Sequence, residues 1–341
     1  MPPEGEVQVG VRQDRRGAAY AAAVLAIFGW GSLYPAAKLA LQDVTPLMIA
    51  LARTAIAAVV LGGLSCAVGG GLRPGLRRLR REATRRWREP CLLGLVSFLG
   101  TSVMAMTAQA FLPAAINSLL NNLGPLWLAL YAVLAGRARH APLLLAGSTV
   151  AIAGVAAVLL GEIPFGGVSG SAQGQGTGPG QGPAAAAHSL VAVGAALSLG
   201  GSLLIAYSNL LARRVMAGRD PLATTAVAAA WASVPLGAAL ALGVGGSLAA
   251  YAATPAVARG LLLWLGVAST AFNFSLWYFA LAHLPVTRIA NLQYLIPPLG
   301  VALAVIVLGE PAGPGLIAGT LAIVGGIALA QRGAEPAEPG P

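Results

Sequence analysis

Charge is scarce in this chain. Only 9% of its 341 residues are charged, whereas soluble domains carry about a quarter. With a mean hydropathy of +0.77, no soluble fold of this length could cover so much apolar surface without precipitating. The solvent is therefore mostly lipid, and the chain reads as an integral membrane protein. Cysteine is nearly missing too: Cys66 and Cys91 lie at the ends of apolar runs, forming neither a disulfide framework nor a metal-ligand spacing. They read as two small hydrophobes. The three histidines, His140, His188 and His283, fall at predicted helix ends, with no serine or metal site beside them. The string GVSG at 167–170 superficially resembles an intramembrane protease motif but lies in a linker. No P-loop is present, which excludes ATP hydrolysis within the chain. No Asp or Glu falls in the middle of an apolar run, so a relay of buried carboxylates is unsupported. Neither a metal nor a cofactor is expected, and an enzyme is not.

What charge there is has one sign, a net +10. Eight arginines crowd into RPGLRRLRREATRRWR, residues 73–88, between two apolar runs. No nucleic-acid-binding fold surrounds them, so they read as a basic juxtamembrane loop that orients the chain and meets the lipid bilayer. Arginines 12, 15 and 16 precede an apolar stretch from Ala18 to Leu41 that is too long for a signal-peptide core. That stretch reads as an uncleaved first helix.

About 20 apolar residues cross the hydrocarbon core. On that rule the chain holds ten spans, near 18–41, 46–68, 90–111, 113–135, 141–161, 188–212, 221–244, 258–281, 285–308 and 313–331. Between the fifth and sixth, residues 162–187 are rich in Gly, Gln and Pro without Lys or Arg and read as a flexible extracytoplasmic linker. The expected organisation is a tail at 1–17, a five-helix repeat at 18–161, the linker, a second repeat at 188–331 and a tail at 332–341. With the N-terminus in the cytoplasm, Arg259 is the one cation left outside, apart from Lys38 and Arg53 within spans. Both termini are thus expected to be cytoplasmic, in the cell (inner) membrane. Five spans per half enter the membrane in opposite senses, which predicts two inverted repeats, an architecture of secondary transporters.

The duplication is visible in the letters. AFLPAAINSLLNNLGPLWLALYAVLAGR (110–137) and AHLPVTRIANLQYLIPPLGVALAVIVLGE (282–310) share Leu-Pro, a proline twelve residues on, an Ala-Leu pair and a closing Leu-Gly or Leu-x-Gly. LAGSTVAIAGVAAVLL (145–160) pairs with IAGTLAIVGGIALA (317–330), and the offset is 172 or 173 residues.

These features make the chain resemble the EamA-type carriers of the drug/metabolite transporter superfamily. FGWGSLYPAAKLAL (28–41) followed by TPLMIALART (45–54) is similar to the opening pattern of that family. NLQYLIPPLGVALAVIVLGE (291–310) and GLIAGTLAIVGGIAL (315–329) are similar to its closing one. The chain departs from the pattern where Gly136 is followed by Arg137 instead of a glutamate, so only the second repeat keeps one, Glu310. The resemblance implies a carrier whose helices one to four and six to nine surround a central cavity, with helices five and ten peripheral.

Ionisable groups inside a membrane are costly and mark function by default. Lys38, the single lysine, lies three residues before its apolar run ends; snorkelling to the headgroups and substrate contact are both open. Arg53 lies seven residues past Pro46, about 10 Å into its helix. It is expected to face the interior, pairing an anionic substrate group or tethering a neighbouring helix. Glu310 is a candidate coupling site or a helix-end turn residue. Polar and aromatic side chains expected around the cavity are Trp30, Ser32, Tyr34, Asn117, Asn121, Asn122, Asn273, Trp277, Tyr278, Asn291, Gln293 and Tyr294. Of these, Trp30, Tyr34, Asn117, Asn121, Asn273, Trp277, Asn291 and Tyr294, with Lys38 and Arg53, are the candidate substrate-binding residues; each could equally hydrogen-bond between helices. Prolines 35, 125, 235, 297 and 298 are expected to kink helices. Gly315 and Gly319 form a GxxxG pattern, which serves close contact within the fold or in a homodimer. The expected activity is alternating-access transport of a small polar metabolite, amino acid or drug, with export favoured. The rival is a membrane-embedded binding or regulatory subunit without flux.

Overall fold

The computed structural model describes residues 4–68, 70–85, 87–135, 141–162, 183–246, 249, 252–284 and 292–334. Among them the chain is all-helical, and eight helical stretches are long and apolar enough to cross a membrane. In chain order the helices are α1 (Glu4–Ala40), α2 (Pro46–Val68), α3 (Leu72–Arg85), α4 (Arg88–Phe111), α5 (Ala114–Asn121) and α6 (Gly124–Leu134). They continue with α7 (Ala141–Glu162), α8 (Pro183–Val215), α9 (Pro221–Ala241), α10 (256–283), α11 (Ile296–Leu308) and α12 (Pro314–Ala334). Large apolar side chains such as Val59, Leu134, Ile306 and Leu321 are 70% or more exposed. That surface is stable only against lipid.

Several expectations change. The basic loop is a helix, α3. Gly70 and Gly71, at φ 87° and 113°, turn the chain sharply after α2. Gly75 then lies directly on Cys66, where a Cβ would meet the Cys66 Cα at 2.4 Å. That close approach lets Leu79 pack on Ala57 and Leu61 of α2, and arginine is a good helix former. The fourth predicted span is two short helices, α5 and α6. Pro125 has no N–H to offer the carbonyl of Asn121, so the helix stops there and restarts with the proline inside its first turn. Pro297 opens α11 in the same way. These two prolines therefore start helices, whereas Pro35 and Pro235 lie inside them. The first part of the ninth predicted span, 285–291, lies outside the described residues, as do the 163–182 portion of the linker and residues 335–341. The first helix already begins at Glu4, within the predicted tail, and α8 already begins at Pro183.

Two regularities recur at the spacing of the sequence repeat. Helices α4 and α10 each contain a wider π-helical stretch, Gly94–Gly100 and Val267–Phe272, whose first residues are 173 apart. In α7 and α12, a Cβ on Gly147 would meet Gly326 O at 2.6 Å, and one on Gly154 would meet Gly319 O at 2.9 Å. The numbering rises in one helix as it falls in the other, so these matching helices pack antiparallel through reciprocal glycine pairs. The face of Gly319 is thus filled within the chain, by Gly154 and Val158.

On one end of the bundle, Arg219 bridges Glu82 of α3 (2.6 Å) and Glu89 of α4, with only 3% of its side chain exposed. Arg78 reaches Asp220 at 3.6 Å, and Asp220 caps α9 through the backbone N–H groups of Leu222 and Ala223. On the opposite end, the turn before α2 meets the turn after α9 through a neutral bond, Thr45 Oγ1 to Gly245 O at 2.5 Å.

The glycine seam gives a direct check. Gly147→Val forces a side chain onto backbone atoms and should lower stability by about 1–3 kcal/mol, the usual cost of overpacking. Gly325→Ala, at a position with nothing within 4 Å, should leave the thermal unfolding midpoint in detergent unchanged or raised. Equal midpoints for Gly147→Val and the unmutated chain would contradict the packing.

Candidate functional site

Arg53 sits in the second turn of α2, facing α10. Its Nε donates to Thr270 Oγ1 at 2.8 Å, and Thr270 belongs to the second π-helical stretch. The wider turn there lets Thr270 donate in its own turn to Leu265 O at 2.7 Å, five residues back, while its oxygen accepts from the arginine. Among the described residues no carboxylate pairs with Arg53. Of its nitrogens, only Nε has a hydrogen-bond partner among the described residues, and the two terminal amino groups of the fork have none. Tyr34 of α1 lies within electrostatic reach of the guanidinium.

Tyr34 is 4% exposed, and its hydroxyl accepts from Asn121 Nδ2 (3.2 Å) and Asn122 Nδ2 (2.8 Å). Asn122 stands at the break between α5 and α6 and also satisfies Ser118 O at 2.7 Å. It lines a small cavity of about 80 Å³ with Gly124, Pro125, Asn209, Gln293 and Tyr294. That volume holds a few waters. The tyrosine, the asparagine pair and the cavity thus form a linked polar track through otherwise apolar helices, with the arginine within electrostatic reach of its tyrosine end.

Asn117 has no part in that track. It is fully buried, donating to Ala105 O (3.1 Å) and Gln109 Oε1 (2.5 Å) and accepting from Ser198 Oγ (2.8 Å). This ties α4, α5 and α8 together, the interhelical role weighed against cavity lining in the sequence. Asn121 Oδ1 is buried without a partner among the described residues, facing Gly201. Asn273, 2% exposed, packs on Gly29 so closely that a Cβ there would sit 2.2 Å from its amide oxygen. Trp30 and Trp277 meet edge-on at 5.2 Å, with Phe274 at 6.2 Å from Trp30, and form an aromatic seam between α1 and α10. Asn291 lies outside the described residues, and Tyr294 lines the cavity.

The two remaining charged candidates meet at a different place. Lys38 Nζ donates to Gln109 O (3.0 Å) and Leu112 O (2.8 Å), the carbonyls that end α4. Glu310 accepts from the backbone N–H groups of Ala114 (2.6 Å) and Ala115 (2.9 Å), the donors that begin α5. A cation thus closes a C-terminus and a carboxylate closes an N-terminus, each matched to the helix dipole. The pair holds the corner at Leu112–Pro113. Asn209 and Thr270 were not among the sequence candidates. Asn209 was legible as an amide within the sixth apolar segment, but nothing in the sequence pairs Thr270 with an arginine 217 residues away.

Taken together, membrane-length helices, broken short helices and an interior polar track beside an arginine that has no carboxylate partner among the described residues define a multi-helix membrane transporter. The EamA-like transporter family model matches residues 17–160 and again 192–331, and the chain belongs to that family. It is 28% identical over 316 residues to a probable terminal-alkyne amino-acid exporter of Streptantibioticus cattleyicolor, covering 91% of this chain and 93% of that one. An uncharacterized protein of Pseudomonas aeruginosa is 35% identical over 139 residues, spanning 38% of this chain and 45% of its own. A crystal structure of a protein shares the fold at a TM-score of 0.57 and 20% identity, covering 93% of this chain and 97% of that one.

The capping geometry of Glu310 is directly testable. Glu310→Ala removes two charge-assisted hydrogen bonds, each worth about 1.5–3 kcal/mol, and should lower the unfolding midpoint clearly. Glu310→Gln, which can replace one of them, should fall between. A variant as stable as the unmutated protein would remove the capping role.

Proposed function

We propose that the chain is a ten-span inner-membrane exporter of small amino-acid-like molecules, and that Arg53 receives their carboxylate. The observation that carries the reading is the state of Arg53: a cation inside the membrane, held by Thr270 at Nε, with no carboxylate partner among the described residues. A guanidinium fork offers two parallel donors to a carboxylate, and an isolated buried cation is costly until such a partner arrives. The likeness to a probable amino-acid exporter supports the same substrate class. Tyr34, Asn122, Gln293 and Tyr294 supply neutral polar contacts for the rest of the molecule. The cavity of about 80 Å³ is too small for an amino acid, so transport requires it to enlarge. Short helices that end within the fold, α5, α6 and α11, are the elements that can rearrange in alternating access. Two five-helix repeats at 18–161 and 188–331, inserted in opposite senses with both termini cytoplasmic, account for the antiparallel α7–α12 seam and for the distribution of arginines. Gly319 faces α7, so a homodimer contact at Gly315 and Gly319 would have to use the rest of that helix. No catalytic step is assigned to the protein.

The test is counterflow in sealed vesicles with a panel of amino acids and the corresponding amino-acid amides, which lack the carboxylate. The unmutated protein should prefer the acids. Arg53→Ala should lower flux of the acids about 10- to 100-fold, the worth of one charge-assisted bond, and abolish the preference. Arg53→Lys should retain part of it. Equal flux of acids and amides through the unmutated protein would overturn the reading.

A further inference from the structure

We infer that α3 is a docking surface for anionic phospholipid, an interfacial helix whose arginines bind headgroup phosphates. This goes beyond setting the orientation of the chain, for which scattered loop cations suffice. Three independent features meet on this short element.

The helix has two unlike sides. Gly75, Leu79 and Glu82 face the protein, against Cys66, the α2 side chains Ala57 and Leu61, and Arg219 respectively. Beside that face Leu72 and Leu76, one turn apart, are 68% and 52% exposed. They continue the apolar surface of Val68, 76% exposed, at the end of α2. Further round the helix, Arg73, Arg77, Arg80 and Arg81 are all exposed. A leucine edge joined to a bundle wall, with cations standing off it, is the geometry of a helix lying in the boundary between acyl chains and headgroups.

The second feature is the fate of the local acids. The sequence 72–89 contains two, Glu82 and Glu89, and Arg219 engages both. The guanidinium groups of Arg73, Arg77, Arg80 and Arg81 make no ion pair or hydrogen bond among the described residues. The surface therefore presents four cations with no counterion among the described residues, and a partner bearing negative charge neutralises them. A partner that also covers Leu72 and Leu76 has to be amphipathic, which a phospholipid is and free phosphate is not.

The third is Trp87, 45% exposed, with the Arg88 guanidinium 5.8 Å from its ring centre and Trp231 of α9 at 6.0 Å. An aromatic ring paired with an arginine at the end of an apolar helix is placed at headgroup depth. Because Arg219 and Asp220 join α3 to the start of α9, lipid held on α3 also braces the seam between the two halves of the chain.

The experiment compares the protein in nanodiscs of phosphatidylcholine alone and with added phosphatidylglycerol, reading the thermal unfolding midpoint and the lipids retained in native mass spectrometry. No substrate is involved, so the result stands apart from the transport reading. The expected result is a higher midpoint and retained phosphatidylglycerol for the unmutated chain, both lost near molar salt. The fourfold Arg73→Gln, Arg77→Gln, Arg80→Gln, Arg81→Gln variant should lose both, with retention falling roughly five-fold per arginine removed. The matching fourfold lysine variant should keep most of it, and inorganic phosphate should not substitute for the lipid. The salt titration reads the same contact on the unmutated protein, whether or not the glutamine variant folds. Retention and stabilisation that are unchanged in the glutamine variant, or insensitive to salt, overturn the inference.

Discussion

A backbone that stops being helical inside or at the edge of a lipid bilayer leaves N–H and C=O groups that only side chains can satisfy. The corner at Leu112–Pro113 is such a place, and much of this structure is arranged around it. Lys38, from α1, takes the carbonyls that α4 leaves behind. Glu310, from the turn after α11, takes the N–H groups that α5 exposes. The two charges come from opposite halves of the chain and meet at one turn. Each is stabilised by a helix end, and Glu310 also lies within electrostatic reach of Lys38. That corner fixes where α5 starts, and so where Asn117, Asn121 and Asn122 point.

From there the polar groups divide into two kinds. Asn117, Gln109 and Ser198 close upon one another and upon Ala105 O, spending their hydrogen bonds on holding α4, α5 and α8 in place. Tyr34 and Asn122 are bonded to each other beside Arg53, whose terminal amino groups have no partner among the described residues, and an open volume lies beyond Asn122. The first network ties three helices together, although Gln109 Nε2 is buried without a partner among the described residues; the second borders an open volume, where a ligand can enter.

The two ends of the bundle are held by different contacts. At one end Arg219 lies between two carboxylates, with Arg78 and Asp220 alongside. At the other, Lys38 and Glu310 close the corner at Leu112–Pro113, and Thr45 bonds Gly245 O. The first end also carries α3, where the arginines of the sequence are most crowded.

The sequence by itself determined the membrane class, the long apolar helices and the family, because apolar runs and the repeated Leu-Pro and glycine patterns are local signals. It also singled out Lys38, Arg53 and Glu310, since charges in greasy runs are conspicuous whatever they do. Only the tertiary structure decided what those charges do. Lys38 and Glu310 became caps because α1 and the end of α11 come to the same corner, which no spacing within either segment encodes. Arg53 has donors without a partner among the described residues because its neighbour across the bundle is Thr270 on a π-helical turn instead of an acid. Pro125 and Pro297, legible as interruptions, turned out to start helices, since a proline has no N–H to lose in a first turn. The arginine stretch looked like a loop by composition and is a helix because Gly75 lets it lie on α2. Pattern within a segment reports solvent and periodicity; the partner of a polar group is set by which segments pack together.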